Sequence, residues 1–387
     1  MTKDVNKFEV VDGKPIKVNL SYYRKNNLNK TEVIMISICM IVKDEEKNLE
    51  KTLQSIEVYN CEIIIVDTGS KDNTKEIARR YTKNVHDFHW CNDFSKARNF
   101  SISKASNDFI LILDADEIIL NLDKEKLEKI IIENREDVGR VVRKNEYLRE
   151  NNKFIYNEYV NRLFNKNKYK YDGTIHEQIV SKDSKTYTTY NLPIVIKHIG
   201  YDNEEIGRKD KINRNIELLK ESLKTKGDDP YIYYQLGKSF YMNGNFIDAK
   251  VNFEKSLDFN LDTKFEYVQD LIETYGYSLI SLGEYKDSMK FLNLYDEFKG
   301  SADFIFLIAL IYMNNGLFEE AITEFERAKS MKTCKMEGVN NYLANYNIGV
   351  ILECLGNEEK AMEYYNMCNN YENALKRIDF IKKKNKI

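Results

Sequence analysis

Five consecutive apolar residues, Phe109-Ile110-Leu111-Ile112-Leu113, run directly into Asp114-Ala115-Asp116-Glu117. Such a run reads as a strand covered on both faces, as in a parallel sheet, and doubly wound sheets place ligands just beyond the carboxyl ends of such strands. Hard oxygen ligands there suit Mg²⁺ or Mn²⁺ carrying a diphosphate. An acidic turn, or a helix N-cap with favourable first-turn charges, accounts for the same residues. The run alone leaves both readings open.

The preceding chain narrows the choice. Met35 to Val42 is an apolar run ending at Lys43-Asp44-Glu45-Glu46, followed by Leu49, Leu53 and Ile56 at helical spacing. Ile63 to Val66 is a second buried strand, Asp67 to Ser70 a loop, and Asn73 to Tyr81 a helix for which Ser70 to Asn73 offer capping side chains. Asp93, read as a cap, opens a helix through Lys104 that feeds the acidic strand. Strand and helix in alternation are the mark of βαβ units. After Glu117 the pattern mixes. Leu120 to Glu133 reads as helix, Val138 to Val142, Phe154 to Leu163 and Ile194 to Ile196 as strands, and Tyr169 to Asp172 leads to Gly173-Thr174-Ile175-His176-Glu177-Gln178.

From Glu204 the chain reads as wholly helical, with Ile212, Ile216, Leu219 and Leu223 on one face. Beyond Pro230 an internal repeat emerges. Tyr233, Leu236, Gly237, Phe240, Gly244, Phe246, Ala249 and Phe253 fit the tetratricopeptide alternation of large, small and aromatic residues. The turn glycine recurs at Gly283, Gly316 and Gly356, spacings of 39, 33 and 40 residues, which bracket the usual period of about 34. The third copy is the clearest, the second the weakest, and a generic amphipathic helical array is the alternative. Either way a helical solenoid with a partner-binding concave face is expected.

Composition excludes several classes. The 387 residues, 42% apolar, can bury a full core, and the net charge of −3 gives no global field for nucleic acid. No apolar run is long enough to span a bilayer, and Met1 to Lys14 lacks the apolar stretch of a signal peptide, so a cytoplasmic location is expected. The six cysteines are scattered without close pairs, which suggests neither zinc nor disulfides. The Lys382-Lys383-Lys384 tail reads as solvated. Residues 1–32 show no clear period.

Acids leave the carboxyl ends of all three early strands: Asp44 and Glu45, then Asp67, then Asp114 and Asp116. Gathering them at one rim is costly unless a cation or hydrogen-bond donors sit among them. A metal and a nucleoside satisfy both needs, with Glu45 and Asp67 accepting from base or ribose and Asp114 and Asp116 holding ribose and metal. For Asp67 alone an N-cap is the competing reading. Arg98 is placed to meet a phosphate oxygen or a rim carboxylate, and a plain surface arginine fits its spacing equally.

The segments at 37–56, 63–74, 90–99, 110–117 (ILILDADE) and 174–178 (TIHEQ), in this order, resemble the GT-A glycosyltransferases of family 2. More narrowly, the chain resembles the subgroup with C-terminal tetratricopeptide repeats that includes the peptide S-glycosyltransferases of glycocin (sublancin-type) biosynthesis. The resemblance implies a Rossmann-like GT-A nucleotide-sugar transferase domain at 33–203 behind an arm at 1–32. A connecting helix at 204–228 and an all-α tetratricopeptide-like solenoid at 229–387 follow. It implies transfer, with inversion, from a nucleotide sugar, usually UDP-linked, and a divalent metal, Mg²⁺ or Mn²⁺. Asp114 and Asp116 match the D-x-D motif, Asp116 as direct metal ligand and Asp114 as ribose or metal contact. Asp67 matches the acid that reads the base, Glu45 the first-loop contact and Arg98 a basic donor-site residue. Asp44 departs from the Asn common there. With these relatives in view, His198 or His176 is expected to complete the metal shell or contact the diphosphate, a structural histidine being the alternative.

Inversion by single displacement needs a general base on the acceptor side, for which Glu177 is the candidate. The expected acceptor is a Cys or Ser/Thr side chain of a polypeptide, gripped by the repeats. Competing readings are a transferase acting on a surface polysaccharide or lipid-linked glycan, a nucleotidyltransferase, and a non-catalytic tetratricopeptide adaptor. No partner nucleic acid or transmembrane anchor is expected, and a homodimer is left open.

Overall fold

The computed structural model describes residues 7–11, 14–17, 34–149, 152–199 and 205–384. Its strands are β1 (Lys7–Val11), β2 (Lys14–Lys17), β3 (Ile36–Val42), β4 (Glu62–Asp67), β5 (Val85–Asp87), β6 (Phe109–Ile112) and β7 (Glu117–Leu122). Further on come β8 (Val138–Arg149), β9 (Asn152–Asn165), β10 (Tyr169–Asp172), β11 (Gln178–Ser181) and β12 (Tyr187–His198). Ten of them form one mixed sheet in the order β2-β1-β12-β8-β9-β6-β3-β4-β5, with β7 also paired to β12, while β10 and β11 pair separately.

The parallel part, β6-β3-β4-β5, holds the first three apolar runs. Because β-strand side chains alternate between faces, a strand apolar at every position needs cover on both. Ile38, Met40, Ile65 and Leu111 pack on one face with Leu49, Leu53 and Ile56 of α1 (Leu49–Glu57). Cys39, Ile64, Ile110 and Ile112 pack on the other with Ile102 of the helix at Phe94–Lys104, and with Phe164, Tyr169 and Tyr171. Full burial of each such side chain contributes about 1.5–3 kcal/mol. The helix at Thr74–Tyr81 starts where Asp72 Oδ1 accepts from Thr74 N at 3.0 Å. Asp93 caps the helix at Phe94–Lys104 by accepting from Lys96 N at 3.0 Å, as read from sequence.

One expectation is overturned. Leu120 to Glu133 is not a single helix: Glu117–Leu122 is strand β7, and the helix is Lys124–Glu133, capped by Asp123. Ile119 and Leu122 belong to a ladder with β12, in which His198 faces Glu117 and Ile196 faces Ile119. The arm, without period in sequence, contributes β1 and β2, and β1 pairs antiparallel with β12.

The described residues divide into two compact units: Met1–Glu146, Glu158–Ser222 and Lys264–Glu266 in the first, and Tyr147–Asn157, Leu223–Thr263 and Tyr267–Ile387 in the second. Within the second, helices at Pro230–Met242 and Phe246–Leu257, Ala302–Asn314 and Phe318–Lys329, and Tyr342–Cys354 and Glu358–Asn366 form hairpins. Gly244, Gly316 and Gly356 close these turns at φ +76°, +76° and +81°, backbone that a Cβ disfavours. The hairpin that was weakest in sequence is irregular: after the helix Glu266–Leu282 its return is broken into Tyr285–Ser288, a 3₁₀ turn at Met289–Leu294, and Tyr295–Phe298. A final helix, Glu372–Lys384, buries Ala374, Ile378 and Ile381 and ends in the three tail lysines, where positive charge suits a helix C-terminus. Buried inside this unit, Glu273 accepts from Gln269 Nε2 at 2.6 Å and lies 3.6 Å from Lys335 Nζ.

Among the described residues no helix is long and apolar enough to cross a membrane. All six cysteines are free.

Candidate active site

Parallel pairing sets the ends of β3, β4 and β6 at one edge of the sheet, and each is followed by an acidic loop. The first two loops are stitched together. Asp44 Oδ1 accepts from Lys71 N at 2.7 Å, its own N–H meets Ser70 Oγ at 2.9 Å, and Glu46 Oε2 accepts from Asn73 N at 3.1 Å. Asp44 stands at φ +53°, a strained setting for a non-glycine residue. Its carboxylate therefore staples the first loop to the second.

Asp67, at the end of β4, is 1% exposed. Its Oδ1 accepts from Gly69 N and Ser70 N, both at 2.9 Å, while Oδ2 is buried with no partner. A buried carboxylate oxygen left unsatisfied is destabilising until a donor reaches it. Glu45 is half-buried, with Asn48 Nδ2 donating to its Oε2 at 3.0 Å. Burial raises its pKa, Asn48 opposes that, and the nearby charges of Asp116 and Asp114 raise it further.

Beyond β6 the acids part company. Asp114 is clamped: Arg98 Nη2 donates to Oδ1 at 2.8 Å and Arg162 Nη2 to Oδ2 at 2.7 Å. Arg162 Nη2 also reaches Glu117 Oε1 at 2.7 Å, and Arg143 Nη1 lies 3.3 Å from that oxygen. Glu117 is fully buried, and its Oε2 accepts from Asp114 N at 2.9 Å. Burial works against the Asp114 charge, but Arg162 and then Arg98 outweigh it and hold the carboxyl well below the usual range. Burial likewise opposes the Arg98 charge, and Asp114 and Glu177 overcome it. Both oxygens of Asp114, the expected ribose or metal contact of the D-x-D motif, thus accept from guanidinium groups.

Asp116 is differently placed. Ladder pairing of His198 with Glu117 brings His198 Nε2 to 3.1 Å from Asp116 Oδ2, and Ile199 N donates to Asp116 O at 2.8 Å. Lys211 Nζ, on the helix α2 (Glu205–Lys226), stands 3.5 Å from the same Oδ2. Burial raises the Asp116 pKa, but His198 first and Lys211 second lower it below the ordinary value. Among the described residues no group of three or more His, Cys, Asp or Glu side chains could by itself hold a metal. A carboxylate oxygen and an imidazole nitrogen aimed at each other still fit a cation whose remaining ligands come from a bound diphosphate.

Glu177 lies across from this rim. Arg98 Nε bonds Glu177 Oε1, so one guanidinium joins Asp114 to Glu177, and it lies 5.5 Å above the Tyr171 ring. The loop that carries Glu177 is tight: Gly173 is at φ +104° and His176 at +50°. A Cβ on Gly173 would sit 3.3 Å from Glu177 Cα. Phe94 N donates to Thr174 O at 2.9 Å, and Asn99 bonds both the N–H and the C=O of Tyr171, fixing the loop to the Arg98 helix. The structure thus gathers Glu45, Asp114, Asp116 and His198, links Glu177 to them through Arg98, and sets Asp67 at the neighbouring strand end. The carbonyl of His176 accepts from Gln178 Nε2 at 2.9 Å. Arg143, Arg162, Glu117 and Lys211 were not singled out in the sequence, although an arginine within the apolar Leu163-Phe164 strand was a signal for Arg162.

Residues 37–183 match the family described as glycosyl transferase family 2, and residues 302–333 and 342–375 match the tetratricopeptide repeat. The chain carries a glycosyl transferase family 2 domain followed by tetratricopeptide repeats. The transferase is 27% identical to the SPbeta prophage-derived glycosyltransferase SunS of Bacillus subtilis (strain 168), over 90% of this chain and 88% of that one. It is 30% identical to a TPR repeat-containing protein of Synechococcus elongatus over 56% of this chain and 54% of the relative. It is 36% identical to a poly-beta-1,6-N-acetyl-D-glucosamine synthase of Staphylococcus epidermidis over 22% of each. The crystal structure of YrrB, a TPR protein with an unusual peptide-binding site, overlaps 46% of this transferase and 87% of its own chain at 20% identity, with a TM-score of 0.38.

Proposed function

We propose that this glycosyltransferase moves a sugar, with inversion, from a nucleotide sugar of the UDP type to a Cys or Ser/Thr side chain of a polypeptide. The partnerless Oδ2 of Asp67 carries the reading of the donor: it sits at the carboxyl end of a parallel strand, where an N–H of a nucleobase would satisfy it. Glu45, half-buried in the adjoining loop, supplies a second nucleoside contact. Asp114, held ionised between Arg98 and Arg162, faces the ribose side of the site. A divalent metal, Mg²⁺ or Mn²⁺, held by Asp116 and His198, would supply Lewis-acid neutralisation of the departing diphosphate.

Glu177 is the acceptor-side base. Its Oε1 is tied to Arg98, which fixes the carboxylate and leaves Oε2 to take the acceptor proton. A thiol acceptor asks less of Glu177 than a hydroxyl, because a thiol is closer to ionisation at neutral pH. Two things support a polypeptide acceptor: the likeness to SunS extends across both the catalytic region and the repeats, and the motifs resemble the peptide S-glycosyltransferases.

The test is to incubate the protein with several nucleotide sugars and with Cys- and Ser-containing peptides, then read the mass added. A hexose-sized increment confined to Cys or Ser peptides is expected. Melting protection by UDP with Mn²⁺ should exceed that by UTP. Absence of any nucleotide-dependent shift would overturn the donor assignment.

A further inference from the structure

Trp90, the only tryptophan in the sequence, stands half-buried just beyond β5, and its ring meets that of Phe94 edge-on with centroids 4.8 Å apart. Its indole N–H is given to Asn92 Oδ1 at 2.9 Å, so Trp90 presents apolar surface. The Arg214 guanidinium, carried on α2, lies over the Phe94 ring at 5.8 Å from its centre. These residues border the reacting end of the candidate site. Phe94 N donates to Thr174 O at 2.9 Å in the loop that carries Glu177, and one helical turn on, Arg98 bonds Glu177 Oε1. One turn before Arg214, Lys211 Nζ stands 3.5 Å from Asp116 Oδ2. Residues three apart share a helix face, so the face of α2 that meets Asp116 also brings Arg214 to Phe94, beside the Glu177 loop. Burial lowers the Arg214 pKa, and no carboxylate among the described residues raises it. A guanidinium partly out of water without a counter-charge is costly, and a cation over a ring at the surface returns little. Such a guanidinium keeps its in-plane N–H fork for a planar oxyanion.

We infer that Trp90, Phe94 and Arg214 form an acceptor subsite that takes a carboxylate side chain, Asp or Glu, close in sequence to the residue that receives the sugar. Arg214 holds the carboxylate by its fork, and Trp90 covers the adjoining apolar atoms of the peptide. The inference deepens the polypeptide-acceptor reading above and rests on it. A donor diphosphate is the other oxyanion that suits such a fork. The position favours the acceptor: Phe94 is bonded to the Glu177 loop, whereas Glu45 and Asp67, the proposed nucleoside contacts, follow β3 and end β4. An acceptor recruited this way is selected by the sequence around the modified residue as well as by its thiol or hydroxyl.

The experiment follows Trp90 fluorescence in the full-length protein as heptapeptides are added. Each carries a central Cys and a single Glu at one other position in turn, with Gln at that position as its control. Wild type is expected to bind the Glu form about three- to tenfold more tightly than the Gln form at one or two positions, an advantage that salt weakens. Arg214→Met, which keeps the length and removes the charge, should cut the advantage to about twofold or less. Arg214→Glu should transfer it to peptides bearing Lys. UDP affinity, read by calorimetry, should be alike in wild type and Arg214→Met. Equal binding of Glu and Gln peptides by wild type, or a Glu advantage that persists in Arg214→Met, overturns the inference. Weaker UDP binding by Arg214→Met without a Glu advantage in wild type assigns the fork to the diphosphate and overturns it as well. If peptides still gain sugar in the mass assay in any of these cases, the polypeptide reading stands and only the subsite fails. If no peptide binds and none gains sugar, both fail together.

Discussion

His198 faces Glu117 across the β7–β12 ladder, and this single register places the imidazole 3.1 Å from the carboxylate of Asp116, one residue before Glu117. The acid–imidazole pair is thus built by backbone pairing between distant segments. Its orientation does not depend on a flexible loop.

From that pairing, Asp116→Ala is expected to lower kcat/KM by about 10²–10³-fold while leaving the fold intact. The backbone carbonyl of Asp116, which anchors Ile199 N, survives the substitution. Steady-state transfer assays beside thermal melts check this. Full activity in the variant would rule out the metal assignment.

Replacing Glu177 by Gln removes the proposed proton acceptor but retains a side chain able to meet Arg98. At saturating donor, kcat for a hydroxyl acceptor is expected to fall about 10²–10⁴-fold, and less for a thiol. The rate should be followed in single turnover with donor prebound; an unchanged rate eliminates Glu177 as base.

Asp114→Asn leaves Arg98 and Arg162 buried around a neutral amide, and the expected loss is about 3–5 kcal/mol at neutral pH. The folded pKa of Asp114 lies below its unfolded value. Its stabilisation is then full above the unfolded value of about 3.9 and fades as pH falls toward the folded value. Urea denaturation at pH 7 and near pH 3 should show the gap between wild type and variant closing in acid.

Glu273 titrates in the opposite sense. Burial, assisted by Asp303 and Asp270 against the pull of Lys335 and Gln269, pushes its pKa up to about 7. An acid harder to ionise when folded costs stability as pH rises from the unfolded value, about 4.3, toward 7. Glu273→Gln should therefore unfold at higher temperature than wild type at pH 8, with the difference shrinking at pH 5. A pH-independent difference would show that Glu273 does not titrate in this window.

Much of this was legible from the chain because it is local. Ile63 to Val66 needs no partner to read as a buried strand, and Gly316 followed by Phe318, Ala321 and Phe325 declares a helical hairpin through its own spacing. The rim acids Asp67, Asp114 and Asp116 were legible because strand ends announce themselves. Arg162 and Lys211 were not, since what makes them part of the site is contact with residues far away in sequence. Leu120 to Leu122 was misread for a related reason. Ile118, Ile119 and Leu122 continue smoothly into Leu127 and Ile131, and only pairing with β12 makes the first part a strand.

A ten-stranded sheet with open edges invites further strands to add on, in register and without limit. Here one edge strand, β2, has four residues including Pro15, which lacks the amide needed to extend a ladder, and the other, β5, has three. Among the described residues neither offers a length of backbone on which a second copy could zip up. Concentrated preparations should therefore resist fibril growth from the native state, and lengthening β5 or replacing Pro15 would be the changes that expose the protein to it.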